Sequence, residues 1–241
     1  MIKMQIIDSI KNKFHQDLVS DPVVHGWVLN LYRGGERYPQ RVCDYFQSDF
    51  APTAELALAL ERHSADENKH VRLFSRAIKL LEQPVVEIEM GDIFNEVIRS
   101  FTPGTFHITE SDSAETRRGK LANFLAHAHF LEKRVARSFA YHLDACERAG
   151  KFEIINLLRI AKEDEDRHVQ YTREAVYDLL RKSEADGIME IHRRVEAKAN
   201  LCFSQKEVQV FLDRFSSAIP KRRAFLYKVC RMLMEGAGQY V

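Results

Sequence analysis

Two segments of this chain, Asp66-Glu67-Asn68-Lys69-His70-Val71 and Asp164-Glu165-Asp166-Arg167-His168-Val169, repeat one pattern. Each sets a glutamate and a histidine three residues apart, which places both on one face of a helix. Around the first, Leu56, Leu60, His63, Glu67, His70, Phe74, Ile78 and Leu81 recur at three- and four-residue steps. They form an apolar stripe, opposite Glu61, Arg62, Lys69, Arg72, Arg76 and Lys79. Around the second, Ile154, Leu158, Ala161, Glu165, His168, Thr172 and Ala175 do the same. A third stripe runs Leu121, Leu125, Ala128, Glu132, Val135, Phe139. Carboxylates at the middle of apolar faces restrict the folds open to the chain. Where those faces meet, compensating charge must be present, because burying a bare carboxylate costs several kcal/mol.

The rest of the chain reads as helix. Strand signals are nearly absent; only Val85 to Met90 could form one. A short amphipathic helix is expected near 3–18 and a longer one over about 21–48, opened by Ser20-Asp21-Pro22. Gly34, Gly35 and Pro39 predict a kink or break inside the latter. Further helices are expected at about 53–82, 91–101, 115–149 and 152–183. The last third reads as three pieces, near 187–200, 204–217 and 220–236, with Ser204-x-x-Glu207 as a capping box. From 21 to 183 the links run short, long, short, so two antiparallel hairpins joined by one long crossover are expected. The two hairpins look like copies. Glu36-Arg37 with Arg41 and Tyr45 matches Glu132-Lys133 with Arg137 and Tyr141, and Glu36 is the only glutamate before residue 55. The predicted organisation is a single domain over 1–241, with a bundle core at about 21–183 and a helical extension at about 187–236.

Each copy thus carries one Glu and one Glu-x-x-His. Four facing carboxylates would protonate or unfold the bundle unless cations compensated them. Two divalent metals supply that charge. Oxygen ligands with one imidazole per metal suit iron, with manganese or a manganese–iron pair as alternatives. The expected ligands are Glu36, Glu67, His70, Glu132, Glu165 and His168. Asp66 and Asp164 are expected behind them, each accepting the free ring N–H of the opposite motif's histidine. His63 and His129 are also read as residues behind the ligands, with a direct ligand or proton relay as the alternative. His127 and His142 are read as surface or packing residues, and Tyr32 and Tyr171 as packing residues with a redox role as alternative. Arg41 and Arg137 either bond site carboxylates or form solvated salt bridges.

With these residues the chain resembles the ferritin-like di-iron carboxylate superfamily. Asp164 to His168 is particularly similar to its oxygen-activating branch, with Lys69 replacing the arginine in the first copy. The resemblance implies an all-α, ferritin-like four-helix bundle with one long crossover plus extra C-terminal helices. It also implies a di-iron oxidase or oxygenase that uses O2 to oxidise or hydroxylate a small organic substrate. Ala128 and Ala161 would leave room near the site, and the C-terminal helices would shape a pocket. A ferroxidase or rubrerythrin-like peroxidase, a tRNA-modifying hydroxylase and a metal-free helical interaction protein are the other readings.

Composition sets further bounds. Net charge is +1, which gives no general electrostatic case for nucleic acid. Cys43, Cys146, Cys202 and Cys230 form no C-x-x-C pair, so an external electron donor is expected, and the scattered thiols suggest the cytoplasm. The first eight residues hold no apolar run of signal-peptide length, and no stretch approaches the ~20 apolar residues of a membrane span. The final helix, with Lys221-Arg222-Arg223 before Phe225, Leu226, Val229 and Leu233, is expected to pack on the bundle or on a second copy in a homodimer.

Overall fold

The computed structural model describes residues 2–37 and 46–238. Among them are eight α-helices and no strand: α1 (Ile2–Ser20), α2 (Pro22–Arg37), α3 (Ala54–Leu80), α4 (Phe94–Phe101), α5 (Ala114–Arg148), α6 (Phe152–Leu179), α7 (Lys182–Phe215) and α8 (Lys221–Gly238). The fold is all-α. Local chemistry explains the starts. Asp21 Oδ1 accepts from the Val23 and Val24 amides, at 2.8 and 3.2 Å, just before Pro22 opens α2. Thr53 and Ser113 cap α3 and α5 in the same way.

Helices α2 with α3, α5 with α6, and α3 with α6 pack side by side. Contacts give their directions. Along α3, His63, Glu67 and His70 meet Tyr171, His168 and Asp164 of α6 in descending order, so the two run antiparallel. Glu36 meets His70 while Arg33 meets Ser75, so α2 and α3 are antiparallel too. The apolar stripes fill two clusters. Leu60, Leu121, Leu125 and Val176 pack at one end, and Leu29, Phe74, Ile78, Phe139 and Leu158 at the other. The Glu and His positions lie between them.

Four expectations change. Val85 to Met90 forms no strand; its backbone is tied to α2 through the Val86 N–H, which donates to Asn30 Oδ1 at 2.9 Å. Helix α2 runs unbroken through Gly34 and Gly35. A Cβ on Gly34 would stand 3.2 Å from Ile88, and one on Gly35 would stand 3.1 Å from Asn95 Oδ1. The glycines serve close approach of the long connection and α4; the break expected at Pro39 falls on residues 38–45, outside the described ones. Pro39, Arg41 and Tyr45 lie outside the described residues. The pieces expected at 187–200 and 204–217 are one helix, α7, starting at Lys182. Ser204 and Glu207 therefore sit mid-helix, and at the start of α7 Glu184 Oε2 accepts from the Arg181 amide at 3.1 Å instead. Ala199 is buried against Ile98 and Leu131 before the expected break, and Val208, Phe211 and Leu212 are buried against α1 and α2 after it, so packing on either side carries the helix across.

The C-terminal helices share a core with the N-terminal ones. Phe14 and Leu18 of α1, Val24 and Val28 of α2, Val208, Phe211 and Leu212 of α7, and Tyr227 of α8 pack together. Tyr227 also donates to Asp17 Oδ2 at 2.6 Å. Phe211, fully buried and edge-on to Phe14, is central here. Phe211→Ala is expected to lower the unfolding free energy by about 3–5 kcal/mol in urea titrations. A loss below ~1 kcal/mol would mean that α7 and α8 hang off the rest of the fold. No helix among the described residues is long and apolar enough to cross a membrane.

Candidate metal centre

Seven buried side chains converge from four helices: Glu36 on α2, His63, Glu67 and His70 on α3, Glu132 on α5, Glu165 and His168 on α6. They form two donor sets. One is Glu36, Glu67, His70 and Glu165; the other is His63, Glu67, Glu132 and His168. Within each set the donor atoms lie within 4.8 Å of one another. Glu67 belongs to both. Glu165 also spans them, with Oε1 at 3.2 Å from His70 Nδ1 and Oε2 at 3.1 Å from His168 Nδ1. The structure thus brings all six expected ligands together.

The aspartates lie behind the histidines, crosswise. Asp164 Oδ2 is 3.0 Å from His70 Nε2, and Asp66 Oδ2 is 3.4 Å from His168 Nε2. An acceptor at Nε2 keeps a proton there and turns the Nδ1 lone pair toward the glutamates. Two cations steady the aspartates. Lys69 reaches Asp66 at 2.6 Å and Asp164 at 2.5 Å, and Arg167 pairs with both. Burial alone would raise these carboxyls. Hydrogen bonds from His168 and Lys69 to Asp66, and from His70, Lys69 and Arg167 to Asp164, outweigh it and hold both low, Asp164 at about 2.

The donor set suits two bound cations. Burial, with repulsion from Glu67, pushes the Glu36 carboxyl well up; burial, with repulsion from Glu165, pushes Glu132 to about 8. Burial works against charging His63, yet the neighbouring Glu132 and Glu67 carboxylates push it up to about 10. His70 and His168 are raised against burial by the surrounding carboxylates. Protons therefore stand where cations would balance the charge. Three buried atoms, His63 Nε2, Glu67 Oε1 and Glu165 Oε1, have neighbours at 3.1–3.4 Å but no aligned hydrogen-bond partner among the described residues. Polar atoms that converge without bonding one another are what a metal ion satisfies. An oxygen-rich set with imidazoles suits iron or manganese.

His63 was expected behind the ligands, but its Nε2 lies 3.1 Å from Glu67 Oε1 and 3.4 Å from Glu132 Oε1, inside the second set. Its ring stacks on His168, and its Nδ1 is 2.7 Å from the Tyr171 hydroxyl. The signal was available, since His63 precedes Glu67 by one turn on the same stripe. His129 is not brought to the donors. It bonds the Val169 carbonyl at 3.0 Å, because Glu132 rather than His129 occupies the inward face of α5. Arg137 pairs with Asp8 of α1 at 2.7 Å, half-exposed and away from the site. Tyr32 packs on Phe74, Phe139 and His142. His127 and His142 are fully buried.

The site opens on a cavity of about 650 Å³. Glu36, Glu67 and Glu132 form part of its wall, with Gly35, Val135 and Phe139. The space is therefore not beside Ala128 and Ala161, which are packed into the apolar clusters. Val208 of α7 and Tyr227 of α8 line the same cavity, so the C-terminal helices help to enclose it. Compared with known proteins, the chain matches no family model, no curated protein and no solved structure.

Proposed function

We propose that the protein is a di-iron oxidase or oxygenase of the ferritin-like kind that uses O2 to oxidise a small organic molecule. The observation that carries this reading is a seven-residue donor set open to a largely apolar cavity of about 650 Å³, a size typical of small-molecule sites. Two iron ions bound there would supply the reduction of O2 and the oxidation of the substrate. Hydroxylation consumes one O2, two electrons and two protons, and yields the hydroxylated product and water. The electrons come from a separate donor.

The chain's own residues contribute positioning. Asp66 and Asp164 fix the two histidine rings, and Lys69 and Arg167 fix the aspartates. The Tyr171 hydroxyl, 2.7 Å from His63 Nδ1, holds that ring with its Nε2 toward Glu67 and Glu132. Apolar side chains keep water from the reacting position.

The test is to load the protein anaerobically with ferrous iron, add 18O-labelled O2 and a panel of small apolar compounds, and look for product by mass spectrometry. Label in a product with about two iron ions per chain supports the reading. A growing ferric mineral without labelled product would show an iron-oxidising protein instead. Val208→Trp, which fills the cavity away from the donors, is expected to slow substrate oxidation ~10-fold or more with iron content unchanged.

A further inference from the structure

A third group of metal-capable side chains lies outside the seven donors and takes no part in the reaction above. His25 of α2 and His142 and Cys146 of α5 are each completely buried. His25 Nε2 is 2.9 Å from His142 Nε2 and 3.9 Å from Cys146 Sγ. His142 and Cys146 are four residues apart, one above the other on the same helix face. At the far edge of the His142 ring, Nδ1 has the Tyr32 hydroxyl and His15 Nδ1 each at 3.5 Å. Those neighbours let the ring keep its proton on Nδ1, which leaves the Nε2 lone pair facing His25 and Cys146.

We propose that His25, His142 and Cys146 bind a single copper(I) ion in a three-coordinate site of two nitrogens and one sulfur. Sulfur selects soft ions, and imidazole suits copper. Charge decides between copper and zinc. The group offers one anionic ligand, the Cys146 thiolate, with two neutral rings and no carboxylate. A monovalent ion leaves the site neutral among Leu29, Ile154, Ile155 and Leu158. A divalent ion would leave a buried positive charge and lack the fourth ligand that closed zinc sites have. Binding breaks the Cys146 S–H bond and forms the S–Cu bond; the proton goes to solvent and nothing is oxidised or reduced. His15 and Tyr32, which touch His142, also line the large cavity, which gives the ion a way in.

The test uses full-length protein in which Cys43, Cys202 and Cys230 are serine, so that Cys146 is the only thiol. Copper(I) is titrated anaerobically against a chromophoric copper(I) chelator. About one ion per chain is expected to bind, ~100-fold more weakly after Cys146→Ala and at least ~10-fold more weakly after His25→Gln or His142→Gln. Glu67→Ala should leave the affinity unchanged, which separates this site from the carboxylate centre. Helix content by circular dichroism checks each variant. X-ray absorption on the single-thiol protein, expected to show two nitrogens and one sulfur, serves where a histidine variant does not fold. No retained copper, equal retention in both histidine variants, loss on Glu67→Ala, or a sulfur-only spectrum would each overturn the proposal and leave a buried pair of hydrogen-bonded imidazoles packed on a thiol.

Discussion

Glu67→Ala protein from iron-replete cells is expected to hold well under one metal ion per chain, against about two for the parent, by elemental analysis. His70→Ala is expected to keep about one. The contrast follows from the sharing of ligands. Glu67 is the member common to both donor sets, so its removal weakens both positions at once. His70 serves one set only; His63, Glu132 and His168 remain around the other. Glu165 touches both histidines, so Glu165→Ala should behave like Glu67→Ala. Misfolding is not the expected cause. Circular dichroism of metal-free Glu67→Ala, expected to show the helix content of the metal-free parent, checks this. Equal metal loss in Glu67→Ala and His70→Ala would defeat the two-position geometry. Unchanged metal content in both would defeat the metal centre itself.

Much of this arrangement was legible because it follows from period and spacing. The three- and four-residue recurrence of Leu60, Phe74, Leu125, Leu158 and their neighbours identifies helices, and the Glu-x-x-His positions fall inside those stripes, where burial forces them together. Glu36 was reached through its match to Glu132, although it stands beside two glycines. What spacing does not encode is which backbone approaches which. Gly34 and Gly35 read as helix breakers until Ile88 and Asn95 are seen against them. Ser204-x-x-Glu207 reads as a helix start, because local capping energy is visible in sequence and the burial of Phe211 and Leu212 against α1 and α2 is not. The same blindness hid the cavity. Ala128 and Ala161 are small, but their neighbours close over them, and the open space lies where Gly35 meets the walls built by α7 and α8. His63 needed only one more turn of the stripe, yet its place among the ligands depends on Glu132 arriving from α5.

Metal-free protein is expected to lose stability as pH rises from 6.5 to about 10, and metal-loaded protein is not. His63 is raised from 6.5 to about 10 in the fold, so its stabilising contribution is complete below 6.5 and disappears as pH climbs through that interval. Glu132 is raised from 4.5 to about 8; its charged form is disfavoured in the fold, so ionising it costs stability in the same direction. His70 and His168, also raised, add to the slope. The depressed carboxyls of Asp66, Asp164 and Glu165 act elsewhere, since their contribution is present above the ordinary carboxylate range and is lost only in acid. The decline should be on the order of 5 kcal/mol from His63 alone, given ~1.4 kcal/mol for each pH unit between 6.5 and about 10. Metal ions replace those protons, and their binding strengthens as the ligands deprotonate, so loading should flatten or reverse the slope. Urea midpoints at pH 6.5, 8 and 9.5, with and without chelator, check this. Parallel curves for the two forms would show that the buried histidines and glutamates do not hold the protons that metals displace. That result would remove the charge argument for cations at the centre of the four helices, whatever the spacing of the motifs.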